Sequence, residues 1–392
     1  MSDAVFASGG RRTRVFLPFR LDAVLDDWSS LRAAMIRSKP DGFTRTEWAY
    51  LVSFLDRDAL AGVFRDAFGE PEAGGGGGAG VDAVAGAGGM VAVWLPSNVS
   101  LLGALLLVLL SLTGNPVRVK AGSRGDDLTR AFLDYALDRL APGPLREHLA
   151  GAVVVETFSR EDPRNAEWAS RAHVRLAFGS DAGVAAVEAL PHPEDSVGFS
   201  FGHRVSQAWI EPETCGERDL ETLLRVFDVY GQSACTSPSR VVLLDATPDQ
   251  ARLLRDRLLS LWPRVLPRRP ETIVASTGLL DDQWARMEGW DSRLVPGNGA
   301  AIAVGGAGMS PPAGQRILPL MPMKMREALA SLPANIQTVG HALSPAVERD
   351  LAPRLTARGV LRFVPVAEMH HFGPVWDGQD YWRRTFTVED AG

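Results

Sequence analysis

The chain has 392 residues, 46% hydrophobic and 22% charged, which is the balance of a folded protein and more apolar material than one core usually takes, so two domains are expected. A net charge of −6 with scattered basic residues leaves no electrostatic footprint for a nucleic-acid backbone. Two cysteines, Cys215 and Cys235, are too few for a disulfide framework or a cysteine-based zinc site.

From Met1 to Phe16 the chain offers Arg11, Arg12 and Arg14 with no apolar run behind them, so no secretory signal is read and a cytoplasmic, reducing compartment is expected. Residues 15–68 alternate helical patterns with charged faces, giving an N-terminal helical part over 1–69. The glycine and alanine tract over 70–89 cannot pack a core and reads as a flexible loop.

From Met90 short β-branched runs alternate with longer apolar-periodic ones. MVAVWLP, VRVKA, AVVVET and VRLAFG read as strands, and SLLGALLLVLLSL and DLTRAFLDYALDRL as helices, with another helix after VRLAFG. Such βαβ units predict a doubly wound α/β domain over 90–212, with a parallel sheet covered on both faces. The uncharged stretch from Val99 to Thr113 falls short of the roughly 20 residues a membrane span needs, and reads as a buried helix.

A second α/β series follows over 213–366. Leu220, Leu223, Leu224 and Phe227 fall at helical spacing, then come SRVVLLD, a helix near 247–262, AIAVGG, RILPLMP, IQTVGHA, a helix near 345–358 and LRFVPV. Residues 367–392 form a C-terminal segment.

Cys235 lies in the polar loop Gly231-Gln232-Ser233-Ala234-Cys235-Thr236-Ser237-Pro238, between an amphipathic helix and a β-rich run. A thiol there is within reach of a substrate, so it reads first as a nucleophile. The glycine clusters at 86–90 and 305–309 lack the strand, turn and helix context of a dinucleotide fingerprint and read as turns. Phe178-Gly179-Ser180-Asp181-Ala182-Gly183 does follow a strand and open a helix, so it is either a simple turn or a phosphate cradle. Asn98, in Pro96-Ser97-Asn98, is either the cap of the next helix or an amide aimed over the carboxyl end of the sheet. The histidines lack metal-ligand spacing, and no G-x-S-x-G elbow occurs.

Taken in this order, with Gln232-x-x-Cys235-x-Ser237-Pro238, Gln337-Thr338-Val339-Gly340 and Pro374-Val375-Trp376-Asp377-Gly378 as the most specific parts, the segments from about Val91 to Arg384 resemble the aldehyde dehydrogenase superfamily. Within it they resemble the bacterial long-chain acyl-CoA reductases that supply fatty aldehyde to luciferase.

The resemblance implies an aldehyde dehydrogenase-like fold of two doubly wound α/β domains, with cofactor bound by 90–212 and the nucleophile carried by 213–366. It makes Cys235 the nucleophile and Asn98 the amide donor to the thioester oxygen. Lys120 matches a lysine that holds the adenosine ribose. Ser123 stands where NAD-preferring relatives often have Glu, and beside Arg124 it accommodates a 2′-phosphate, so NADPH is the expected cofactor. Gly179, Ser180 and Gly183 match the pyrophosphate turn in a form one residue shorter.

Hydrolytic relatives carry Glu in an E-L-G-G motif; the comparable Phe199-Ser200-Phe201-Gly202-His203-Arg204 has none, although Gly202 remains a cofactor-binding candidate. Coenzyme A is then the expected leaving group in place of water as attacking species. His371-Phe372-Gly373-Pro374 stands in for the Glu-Phe-Gly-Pro motif that contacts the nicotinamide ribose. The implied activity is NADPH-dependent reduction of an acyl-CoA to an aldehyde through an acyl-cysteine, in a homo-oligomer without metal. An acyl-activating or aldehyde-consuming enzyme is a possible partner. The alternatives are the same chemistry on an acyl-carrier protein, or a non-catalytic scaffold subunit that keeps the fold.

Overall fold

A computed structural model of the chain describes residues 13–15, 21–69, 89–123, 127–230, 232–267, 272–312 and 316–388. The tract expected to be a flexible loop over 70–89 lies outside them except for Gly89, and so does Arg124. The chain divides into two compact units, Met1–Gly202 with Phe372–Gly392, and His203–His371.

The first unit opens with strand β1 (Thr13–Val15) and helices α1 (Leu21–Arg37), α2 (Arg45–Phe54) and α3 (Arg57–Phe68). In α1, Val24, Leu25, Trp28, Leu31 and Met35 recur at helical spacing and are buried. Thr44 closes a capping box with Glu47 at the start of α2, and Asp56 caps α3. The sheet elements then follow in order: β2 (Val91–Trp94), α4 (Leu102–Ser111), β3 (Val117–Lys120), α5 (Thr129–Arg139), α6 (Pro144–Ala152), β4 (Val153–Glu156), α7 (Arg164–Arg171), β5 (Val174–Phe178), α8 (Asp181–Glu188) and β6 (Val197–Phe201).

All five of these strands are parallel, in the order β4-β3-β2-β5-β6. Every residue of β2 and β5 is buried, because a central parallel strand is covered on both faces. The run expected to be a buried helix is α4, in which every residue is buried. Among the described residues no helix is long and apolar enough to cross a membrane.

The second unit holds β7 (Val205–Ile210), α9 (Glu217–Asp228), β8 (Pro238–Leu244), α10 (Pro248–Val265), α11 (Thr272–Met287), β9 (Asp291–Leu294), β10 (Ala301–Val304), β11 (Ile317–Met323), α12 (Met325–Ala330), β12 (Ile336–Ala342), α13 (Pro345–Thr356) and β13 (Arg362–Pro365). They build a seven-stranded sheet, β13-β12-β7-β8-β11-β10-β9, parallel except for the edge strand β9. Strand alternation sends Val241 and Leu243 of β8 into one core with the leucines of α9 and α10, while Val242 and Leu244 enter the opposite core with Leu351 and Leu355 of α13. The sequence reading placed 205–210 in the first domain, which it ended at 212. Here β7 sits between β8 and β12, so the first unit ends at Gly202.

From Phe372 the chain rejoins the first unit, so residues 367–392 are not a segment of their own. Strands β14 (Val375–Trp376) and β15 (Gln379–Asp380) form a hairpin, followed by α14 (Tyr381–Thr385) and β16 (Phe386–Val388), which pairs in parallel with β1. The hairpin turn is Asp377-Gly378, both at positive φ (48° and 71°), as a two-residue turn of the I′ kind requires. The Trp-Asp-Gly signature is thus a folding device. The buried Tyr381 packs against Phe199 and Phe201 of β6, and Trp382 against Phe64 and Phe68 of α3.

Candidate active site

Cys235 lies in the loop between α9 and β8, and each flank of that loop is held by a side chain. Gln232 adopts a left-handed backbone (φ 64°), uncommon for a residue with a Cβ. Its amide Nε2 donates to the Ile317 carbonyl at 2.8 Å, and its Oε1 accepts from the Arg316 N–H at 2.6 Å, which fixes the loop to the start of β11. The Ser206 hydroxyl donates to the Cys235 carbonyl at 2.6 Å.

On the other flank Thr236 lies 2.7 Å from His370 Nδ1, while His370 Nε2 is 2.7 Å from the Val226 carbonyl. A carbonyl only accepts, so Nε2 carries the proton and Nδ1 accepts from the threonine hydroxyl. Burial pushes this imidazole down to about 4, which leaves it neutral. The sulfur itself has a neighbour: Gln337 Nε2, on a side chain of zero exposure, donates to Cys235 Sγ at 3.5 Å.

The two thiols differ sharply. Cys215 is buried, its Sγ lies 3.8 Å from the Gly216 carbonyl, and burial pushes its thiol up to about 12. Cys235 is partly exposed. One thiol is sealed and inert, and the other is accessible beside an amide donor.

The remaining candidates lie in the first unit, at the carboxyl edge of its parallel sheet, where such folds bind ligands. Asn98 follows β2 and is exposed; the N-cap of α4 is Leu101, so Asn98 is not that cap. The order in which strands are added reverses between β2 and β5, all strands staying parallel, and Asn98 and the Gly179-Ser180 turn follow the two strands that flank this switch point.

Lys120 ends β3, with Nζ 5.6 Å from the centre of the Phe158 ring; burial, with a contribution from the nearby Arg160 cation, lowers its pKa. Ser123 is exposed, and its N–H donates to the Ser97 hydroxyl at 3.2 Å, joining the loops that follow β2 and β3. A Cβ on Gly122 would come within 2.7 Å of the Pro96 carbonyl oxygen, so this close approach requires glycine.

Ser180 caps α8 by accepting from the Gly183 N–H at 3.2 Å. An Arg160 guanidinium nitrogen lies 3.9 Å from where a Cβ on Gly183 would sit, a cation the sequence reading missed because Arg160 carries no motif. A Cβ on Gly202 would lie 2.5 Å from Asp181 Oδ1, the movable end of an exposed side chain. Phe199, Ser200 and Phe201 belong to β6, where the Ser200 hydroxyl donates to Glu188. Phe372 is buried among Phe178 and Trp376. Among the described residues no cluster of three His, Cys, Asp or Glu side chains is placed to hold a metal ion.

A family profile described as acyl-CoA reductase (LuxC) matches residues 79–276, about half of the chain, including Asn98, Lys120, Gly202 and Cys235. The chain belongs to the acyl-CoA reductase (LuxC) family. As a LuxC-family member it is an aldehyde-related oxidoreductase, and its fold is that of the aldehyde dehydrogenases. Solved structures share the fold of this reductase at low identity. A propionaldehyde dehydrogenase from the Clostridium phytofermentans fucose utilisation microcompartment matches with a TM-score of 0.57 and 13% identity, over 90% of this chain and 84% of that one.

An oxidoreductase from Marinobacter aquaeolei gives a TM-score of 0.60 and 11% identity, over 94% and 82%. Aldehyde dehydrogenase 21 from Physcomitrella patens gives 0.58 and 12%, over 92% and 82%. Against curated proteins the sequence of this LuxC-family reductase has no match.

Proposed function

We propose that the protein reduces an acyl-CoA to the aldehyde with NADPH, through an acyl group carried on Cys235. The observation that carries the reading is the contrast between the thiols: Cys235 is reachable and faces a buried amide, whereas Cys215 is sealed with its pKa pushed up to about 12.

The Cys235 thiolate attacks the thioester carbonyl, forming a C–S bond. The Asn98 amide receives the developing oxyanion, and the tetrahedral adduct collapses with loss of coenzyme A thiolate, which takes up a proton. NADPH, when bound, would supply the hydride that reduces the acyl carbon, leaving as NADP⁺. The resulting thiohemiacetal loses its C–S bond, releasing the aldehyde and returning the Cys235 thiolate. The balance is acyl-CoA, NADPH and a proton to aldehyde, NADP⁺ and coenzyme A.

The residues at the carboxyl edge of the first sheet fit such a cofactor. Lys120 and Arg160 bring positive charge, the glycine turn leads into α8, and Ser123 offers a hydroxyl where a carboxylate would repel a 2′-phosphate. The Phe199-to-Arg204 stretch supplies no carboxylate to activate water, which favours thiol exchange over hydrolysis.

The test uses a radiolabelled acyl-CoA without reductant. The wild type and Cys215→Ala should hold the label covalently, and Cys235→Ala should hold none. Label persisting in Cys235→Ala would refute the assignment. Failure of the wild type to bind either nicotinamide nucleotide in a fluorescence titration would favour the scaffold reading, and comparing acyl-CoA with acyl-carrier protein would identify the donor.

A further inference from the structure

We propose that Gln337 is a catalytic residue: its side-chain amide donates to the Cys235 sulfur, holding it as thiolate before attack and receiving the charge again when the thiohemiacetal collapses. Gln337 is completely buried in β12, with β7 and β13 on either side, and its amide lies 3.5 Å from Sγ. Its backbone is where the pairing of β12 with β7 slips register, between Ile336 and Val339. A bulge of this kind re-aims a side chain, and here that side chain meets the sulfur. β7 is also irregular against β8 between Ser206 and Ala208, beside the hydroxyl that holds the Cys235 carbonyl.

Among the described residues His370 is hydrogen-bonded to the loop through Thr236, and the Arg316 N–H through Gln232. His370 is neutral and spends its one proton on the Val226 carbonyl. The Arg316 guanidinium is directed to Asn298 at 2.6 Å and Asp228 at 3.8 Å. A neutral amide stabilises a thiolate more than a thiol or a thioester, because a hydrogen bond to a charged acceptor is the stronger one. The benefit therefore falls on the two states in which sulfur bears charge, resting enzyme and departing sulfur.

The inference rests on Cys235 being the nucleophile, and the test separates the two. The full-length wild type and Gln337→Met, which keeps similar bulk without a donor, are alkylated with iodoacetamide from pH 5 to 9, and Cys235 modification is followed by mass spectrometry. Cys215 stays silent in this range because burial pushes its thiol up to about 12. Loss of the donor should raise the alkylation midpoint by about one unit or more. The acylation rate at neutral pH should fall about tenfold and recover as the pH is raised, which a merely structural role would not produce.

An unchanged midpoint in Gln337→Met with acyl label still forming on Cys235 would overturn this proposal alone, whereas absence of acyl label in the wild type would overturn the nucleophile. If Gln337→Met does not fold, the difference in thiolate absorbance between wild type and Cys235→Ala, titrated in the native state, decides. A Cys235 midpoint at or above the ordinary ~8.5 would overturn the proposal, and one clearly below it would support it.

Discussion

His370 supports the Cys235 loop only as a neutral imidazole, and this makes the loop's stability acid-sensitive over a definable range. Burial depresses its pKa from 6.5 to about 4. The unfolded chain therefore binds the proton more readily, so the stabilisation is whole above pH 6.5 and is lost as the pH falls through 4. At pH 5 the loss is about 2 kcal/mol, approaching about 3 kcal/mol in stronger acid. His370→Gln keeps a donor and an acceptor but has nothing to titrate. Urea unfolding of both proteins at pH 7.5 and 5.0, followed by tryptophan fluorescence, should show the wild type losing about 2 kcal/mol more than the variant over that interval. His148, likewise pushed down to about 4 by burial, is present in both proteins and cancels. Equal losses would mean that His370 is not held neutral, and the hydrogen-bond assignment through Thr236 would fall with it.

Asn98→Ala should turn over about 10²–10³ more slowly while binding NADPH normally, because an oxyanion donor acts on the transition state; unimpaired turnover would remove Asn98 from the mechanism. Ser123→Glu should weaken NADPH at least about tenfold and leave NADH unaffected, through repulsion of the 2′-phosphate, measured by fluorescence titration. Equal effects on both nucleotides would place the 2′-phosphate elsewhere.

The first sheet was legible because β2, β3 and β4 are short valine-rich runs, as strands of a parallel sheet covered by helices require. β7 was not, since Ser206 and Gln207 make Val-Ser-Gln-Ala-Trp-Ile look half-solvated. Both are buried, and Gln207 accepts from the Trp209 indole at 3.1 Å. Cys235 announced itself by a polar loop with turn residues on both sides. Its supports did not: Gln337 and His370 lie 102 and 134 positions away from their partners in the loop, and neither spacing carries a local signal. Asn98 was misread as a possible cap because α4 begins four residues later, on Leu102, without any side-chain cap.

The Cys235 loop is moored by Gln232 to β11, by Ser206 to β7 and by Thr236 to the residue that follows Met369. Three anchors on separately threaded stretches of chain immobilise the sulfur during folding, so none of that ordering has to be repeated at each turnover. The same tethers deny the loop any swinging motion of its own. If Cys235 carries the acyl group as proposed, diversification toward new substrates reshapes the surrounding walls while the reacting atom stays put.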